Sequence, residues 1–112
     1  MSVQFFSPNE KVKLIHELGI CEFGNPKMVY RLIHVVMKEI LESSVKVNDH
    51  VGYYNYMIYQ LNEQGFLEHG SSIFGSWITE KGKKLIEALD EMAKYEYEYD
   101  DFYEANLVPE ER

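Results

Sequence analysis

Apolar residues recur every three or four positions in four stretches of the chain, and this spacing predicts four helices. The clearest helix runs from Pro26 to about Glu42, with Asn25 as its cap and a wide apolar stripe along one side. A shorter first helix is predicted near the N-terminus, with Ser7 as its cap, because serine suits that position. Gly19 is expected to end this first helix in a left-handed conformation.

A small hairpin is predicted between the third and fourth helices. The third helix ends at Gly65, and residues 66–69 and 77–79 read as short strands around a loop rich in glycine and serine. Thr79 then caps the fourth helix. Because two strands alone are unstable in water, this hairpin must pack on the helices. The predicted fold is therefore mainly α with a small β-hairpin.

The negative charge is concentrated at the C-terminus. The whole chain has a formal net charge of -8 at pH 7, of which residues 95–112 contribute -6 and residues 1–94 only -2. The sequence therefore predicts a folded domain over 1–94 and an acidic, tyrosine-rich, partly disordered tail over 95–112. Three roles for the tail stay open: a solubilising end, a screen that competes with DNA for the chain's own cations, or an imitation of nucleic acid directed at a host protein.

Two motifs flank the predicted hairpin. The third helix leads into it through Leu61-Asn-Glu-Gln-Gly65-Phe-Leu67, and the chain leaves it through Trp77-Ile-Thr-Glu-Lys-Gly82-Lys-Lys-Leu85. Both resemble motifs of the winged-helix superfamily of prokaryotic and viral DNA-binding proteins, in particular the MarR-like and PadR-like groups. The long connection between the second and third helices is similar to that of the replication-terminator type. The resemblance covers about residues 26–94 and implies a three-helix core, a two-stranded wing and a C-terminal helix.

The resemblance makes the third helix the recognition helix, which would enter the major groove. Asparagine and glutamine can read adenine edges, and tyrosine can contact phosphate. The stretch 48–79 contains no lysine or arginine, which counts against DNA binding by this helix alone, and a tyrosine-rich helix also suits a protein partner. The predicted outward residues are Tyr53, Asn55, Tyr56, Tyr59 and Gln60.

Cations lie on the second helix. Lys27, Arg31, His34 and Lys38 are spaced four, three and four apart, so they form one line on the helix surface, which we call the basic row. The basic row is interpreted either as a grip on DNA phosphates or as an ordinary solvated face. The predicted backbone contacts are Lys27, Arg31, Lys38, Ser71, Ser72 and Lys81.

The fourth helix is the predicted dimer element, because winged-helix proteins commonly pair through a terminal helix. Its seam would be Leu85, Leu89 and Met92, although the same residues could simply cover the protomer's own core. The hairpin tip carries an unusual apolar pair, Ile73 and Phe74, which is expected to fold back onto the body or to meet a protein partner, with insertion into a DNA groove as the alternative.

No enzyme signature is found in the sequence. The glycines read as caps and turns rather than as a phosphate loop, and the four histidines and single cysteine have no metal-ligand spacing. We therefore expect no catalysis, no cofactor and no metal, and a cytoplasmic protein without a membrane span or secretory signal. The leading hypothesis is a winged-helix transcriptional regulator that binds double-stranded DNA as a homodimer. The alternative is a winged-helix protein-interaction module, of viral origin in one version.

Overall fold

The computed structural model describes residues 5–19, 25–43 and 53–110. Over these residues the chain is mainly helical with a small antiparallel hairpin, as predicted. The helices are α1 (Glu10–Glu17), α2 (Pro26–Ser43), α3 (Tyr53–Glu63), α4 (Glu80–Ala93) and α5 (Tyr99–Ala105). The strands are β1 (Phe6–Pro8), β2 (Leu67–Glu68), β3 (Trp77–Ile78) and β4 (Leu107–Pro109). Strands β2 and β3 form the hairpin, and β1 pairs with β4.

The start of α1 differs from the prediction. Ser7 lies opposite Val108 in the β1–β4 pair, so the backbone is still extended there. Asn9 caps the helix instead, and its side-chain oxygen accepts the backbone N–H of Val12 at 3.1 Å. The assignment of Ser7 as the cap is wrong because a strand partner from the far end of the chain holds that residue outside the helix.

Other predicted helix ends are confirmed. The side chain of Asn25 accepts the backbone N–H of Lys27 at 3.1 Å, and α2 begins at Pro26. Gly19 and Gly65 have φ values of 56° and 85°, the left-handed region in which glycine avoids a steric penalty. These two glycines end α1 and α3, as predicted.

Helix α4 lies at the centre of the core and packs against both α1 and α2. Leu85, Leu89 and Met92 are completely buried within the protomer. The prediction that they form a dimer seam is therefore wrong, because the protomer's own elements already cover this apolar face. The homodimer itself stays a prediction.

The junction between the hairpin and α4 depends on two residues of the second motif. The Thr79 hydroxyl accepts the backbone N–H of Gly82 at 3.0 Å and donates to the carbonyl of Gly65 at 2.7 Å. Thr79 therefore caps α4, as predicted, and also ties it to the end of α3. Gly82 is not a cap or turn residue, as the sequence suggested, but lies inside α4. Its missing side chain permits close packing, since a Cβ there would lie 2.2 Å from the carbonyl oxygen of Phe66.

Residues 95–110 are packed on the body, whereas the sequence predicted a partly disordered tail from residue 95 onward and left helix, strand and loose conformations open for residues 95–99. Phe102 of α5 is completely buried, and β4 pairs with β1. The side-chain amides of Asn9 and Asn106 are joined by a hydrogen bond of 2.9 Å. The folded part therefore extends beyond the predicted boundary at residue 94, because the aromatic residues of this segment add to the core.

Candidate nucleic-acid interface

Helix α3 presents two different faces. Its inner face, with Met57, Ile58 and Leu61, is buried in the core. On the opposite face Tyr56 and Tyr59 are 45% and 54% exposed. This division follows from helical spacing, which places residues three and four apart on the same side. The predicted outward direction of Tyr56 and Tyr59 agrees with the structure.

The remaining predicted recognition residues lie along the same helix. Gln60 donates from its side-chain amide to the Tyr56 hydroxyl at 2.6 Å, which fixes both groups one turn apart. Asn55 is half-buried, and Tyr53 is the first residue of α3, with its side chain outside the part that the structure describes. The centre of the outer face of α3 therefore carries Tyr56 and Gln60, whose side chains are held together by a hydrogen bond.

The hairpin is joined directly to α3. The Asn62 amide donates to the Ser76 hydroxyl at 2.9 Å and to the carbonyl of Ile58, while its oxygen meets the His69 ring at 2.8 Å. Ile73 packs against the core, as expected for an apolar residue at this tip. The hairpin is thus braced against the helix by hydrogen bonds and by the packing of Ile73.

The hairpin loop exposes its two serines. Ser71 and Ser72 are both solvent-exposed, in positions where their hydroxyls can reach a bound molecule. The side chain of Phe74, the other apolar residue of the tip, lies outside the described residues. Beside the loop, Trp77 of β3 is 51% exposed.

Lys81 has a structural role in addition to any contact with DNA. Its ammonium group lies 2.9 Å from a Glu17 carboxylate oxygen and donates to the carbonyl of Gln64 at 2.9 Å. The same group lies 4.7 Å from the centre of the Phe66 ring. Lys81 therefore joins the end of α1, the turn after α3 and the start of α4. Its positive charge is paired with Glu17 of the same chain.

Residues on α4 and after its end contact the basic row. Lys27 forms ion pairs with Glu98 at 3.0 Å and Glu96 at 3.8 Å, both in the predicted tail. Lys38 lies 3.2 Å from Asp90 of α4. These two lysines remain 30% and 43% exposed, so they form surface ion pairs on a face that is still solvated.

Aromatic and histidine contacts complete this set. The Arg31 guanidinium lies 5.7 Å from the centre of the Tyr97 ring. His34 is only 7% exposed, and its Nε2 lies 2.6 Å from Asp90 Oδ1 while its Nδ1 lies 2.5 Å from the Tyr97 hydroxyl. With Nε2 as donor to the carboxylate, Nδ1 accepts the hydroxyl proton of Tyr97. Every member of the basic row thus has a partner among Asp90, Glu96, Tyr97 and Glu98.

The Tyr97 hydroxyl, the His34 ring and the Asp90 carboxylate form a hydrogen-bonded chain. Burial raises the pKa of the Tyr97 hydroxyl, and the nearby Asp90 carboxylate raises it further against the opposing effect of Arg31. For Asp90, partial burial acts to raise the pKa, but hydrogen bonds from His34 and Lys38 outweigh it and leave the pKa below its ordinary value. The arrangement stabilises a charged carboxylate beside the basic row.

A turn with unusual backbone geometry brings Tyr97 and Glu98 to α2. We call residues 95–98 the clasp turn. Within it Glu96 and Tyr97 have φ values of 53° and 61°, a region that side chains other than glycine rarely adopt. The Tyr97 N–H donates to the carbonyl of Met92 at 3.1 Å, which closes the end of α4. A contact between the acidic tail and the chain's own cations was one of the three predicted roles of the tail, but the pairing of Lys27 with Glu96 and Glu98 could not be predicted because the partners come from separate elements.

Two further observations concern other kinds of site. Among residues 5–19, 25–43 and 53–110, no group of three or more histidine, cysteine, aspartate or glutamate side chains could hold a metal ion. In the same residues no helix has the length and apolar character needed to cross a bilayer.

No protein-family model, curated protein or solved structure matches the chain.

Proposed function

We propose that this protein is a winged-helix transcriptional regulator that binds double-stranded DNA. In this proposal α3 enters the major groove, while the hairpin loop and the basic row contact the phosphate backbone. The observation that carries the proposal is the position of α3: its inner face is fixed in the core, the hairpin braces it, and Tyr56 and Tyr59 face solvent.

The dimensions of α3 support this assignment. Its 11 residues span about 16 Å at a rise of about 1.5 Å per residue, and a helix fits the major groove of B-DNA, which is about 12 Å wide. Gln60 keeps its side-chain oxygen and one N–H available for a base edge after bonding to Tyr56. The hydroxyls of Tyr56 and Tyr59 are suited to phosphate oxygens at the groove edges.

Affinity for DNA would depend on cations outside α3. Phosphate neutralisation supplies most non-specific affinity, and the stretch 48–79 contains neither lysine nor arginine. Lys27, Arg31 and Lys38 of the basic row are the cations proposed for this role, with Ser71 and Ser72 as neutral phosphate ligands. Each neutralised phosphate steepens the salt dependence of binding, so the contribution of the basic row is measurable.

Binding of the purified protein to a short random-sequence duplex, at about 50 and about 200 mM salt, tests the proposal. We expect measurable binding that weakens as salt rises. The K27Q/R31Q double variant should reduce the salt slope by about two units. K11Q/K13Q, with the same change in charge on α1, should leave the slope unchanged. A complete absence of binding at the lower salt contradicts the proposal.

A second candidate is a protein-interaction module that uses the same face of α3. It is favoured by a specific observation: Tyr56, Tyr59 and Trp77 are large exposed side chains in a stretch without cations. Aromatic residues are enriched in protein interfaces, whereas lysine is depleted. If the protein fails to bind DNA even at low salt, this candidate becomes the better interpretation of the surface.

The regulator is proposed to act as a homodimer, but without the α4 seam. Met28, Leu32 and Val35 on the outer side of α2 are 64%, 38% and 48% exposed, and they are apolar residues that pairing could bury. Sedimentation over a concentration series tests the oligomeric state. A protein that remains monomeric at tens of micromolar contradicts the dimer.

A further inference from the structure

We propose that the clasp turn regulates DNA binding by occupying the basic row with the chain's own carboxylates. In the closed state the carboxylates of Asp90, Glu96 and Glu98 lie where DNA phosphates would contact Lys27 and Lys38. The inference rests on the proposed DNA binding and adds to it a mechanism that lowers affinity until the clasp turn is displaced.

The contacts cover the whole basic row and not one residue of it. Glu98 and Glu96 contact Lys27, while Tyr97 contacts both Arg31 and His34. Asp90 holds His34 and Lys38 from α4. An anion that approaches the basic row therefore meets two carboxylates of the clasp turn at one end and one of α4 at the other. Carboxylate and phosphate oxygens compete for the same donors, so binding and closure oppose each other.

Most of the ion pairs that close the clasp are open to water. The side chains of Glu96 and Glu98 are 83% and 55% exposed, and that of Lys27 is 30% exposed. Exposed pairs of this kind are weak and are screened by salt. Lys27 and Glu98 both line a cavity of about 640 Å³. The contact is therefore of a strength that a polyanion can displace.

The backbone of the clasp turn also favours release. Left-handed conformations at Glu96 and Tyr97 store strain and persist only where surrounding contacts impose them. Displacement of the turn relieves this strain. The neighbouring segment is fixed, because Phe102 is fully buried and β4 is paired with β1. In the proposed opening α4 and α5 stay anchored, and the clasp turn gives up the contact of Tyr97 with His34.

The test compares variants that differ only in where negative charge is removed. E96Q/E98Q neutralises the two carboxylates at Lys27, and E104Q/E110Q makes the same change in net charge at exposed positions of α5 and the strand end. Affinity for the random-sequence duplex is measured at about 50 and about 200 mM salt, and circular dichroism checks that each variant is folded. We expect E96Q/E98Q to bind roughly three- to tenfold more tightly than wild type, as expected for the loss of two exposed ion pairs. The E104Q/E110Q variant should change affinity by less than about twofold, because its charges lie away from the row.

A third variant identifies the group that is released. Adding K27Q to E96Q/E98Q should remove most of the gain in affinity, because the lysine freed from the clasp is the one that contacts phosphate. If wild type binds DNA and E96Q/E98Q binds no more tightly than the E104Q/E110Q control, regulation by the clasp turn is overturned and the DNA-binding proposal stands. If no variant binds even at low salt, both the DNA-binding proposal and regulation by the clasp turn are overturned. Binding by E96Q/E98Q alone supports both.

Discussion

Substitution of Gly82 by alanine tests how the hairpin is held against α4. The added Cβ would lie 2.2 Å from the carbonyl oxygen of Phe66, 2.9 Å from a methyl carbon of Ile78 and 3.2 Å from the carbonyl carbon of Phe66. The closest of these atoms belongs to the backbone, which cannot rotate away as a side chain can. The variant must therefore move the start of α4 away from the hairpin, and with it the support behind α3.

The magnitude follows from two opposing effects. Overpacking of a well-packed contact costs about 1–3 kcal/mol, and a clash with fixed backbone belongs near the upper end. The higher helix propensity of alanine offsets up to about 1 kcal/mol of this cost. We expect a net loss of about 2 kcal/mol in the free energy of unfolding, which corresponds to a decrease of about 8 °C in Tm for a domain of this size.

Urea and thermal unfolding, followed by circular dichroism, measure the effect. Gly75→Ala is the matched control, because no atom lies within 4 Å of a Cβ built there. This control should change stability by less than about 0.5 kcal/mol. If Gly82→Ala is as stable as Gly75→Ala, the close approach of α4 to the hairpin is refuted, and with it the role assigned to the second motif.

The remaining predictions concern the C-terminal segment and the clasp. Phe102→Ala should lower the free energy of unfolding by about 3–5 kcal/mol in urea, because the ring is fully buried; a change below about 0.5 kcal/mol would indicate the loose tail that the sequence suggested. The pKa of Asp90 lies below its ordinary value of 3.8 in the folded protein, so its stabilising contribution is complete above that pH and is lost as pH falls through the folded-state pKa. Asp90→Asn should therefore be less stable than wild type at neutral pH, by at most about 1 kcal/mol for a carboxylate this exposed, and the difference should shrink in acid. Urea midpoints across the pH range measure this, and a constant difference would contradict it.

Local sequence signals determined most of the helices and their ends. These signals act within a few residues of each helix end, so they can be recognised without knowledge of the fold. They are Asn25 before Pro26, Gly19, Gly65 and Thr79. Apolar spacing likewise identified most of the buried residues of α2, α3 and α4, because helical periodicity alone decides which residues share a side. Leu32 and Leu41, which belong to the predicted apolar stripe of α2, are instead 38% and 44% exposed.

Contacts between residues far apart in the chain could not be predicted from the sequence. Ser7 suits a helix cap by composition, but a strand partner at Val108 holds it extended. In the C-terminal segment the alternation of tyrosine and glutamate concealed a second pattern, since Phe102 and Tyr103 follow Tyr99 by three and four residues. That spacing predicts a helix with one aromatic face, and it was the available signal for α5.

The sequence by itself determined four of the five described helices, where most of those four stop, and which side of α3 faces solvent, because those properties depend on neighbours within one or two turns. Only the tertiary structure decided that Leu89 is covered by its own protomer and that Lys27 is held by Glu98. Charge and burial depend on what lies across a contact, and residues distant in sequence are brought together only by the packing of the whole chain.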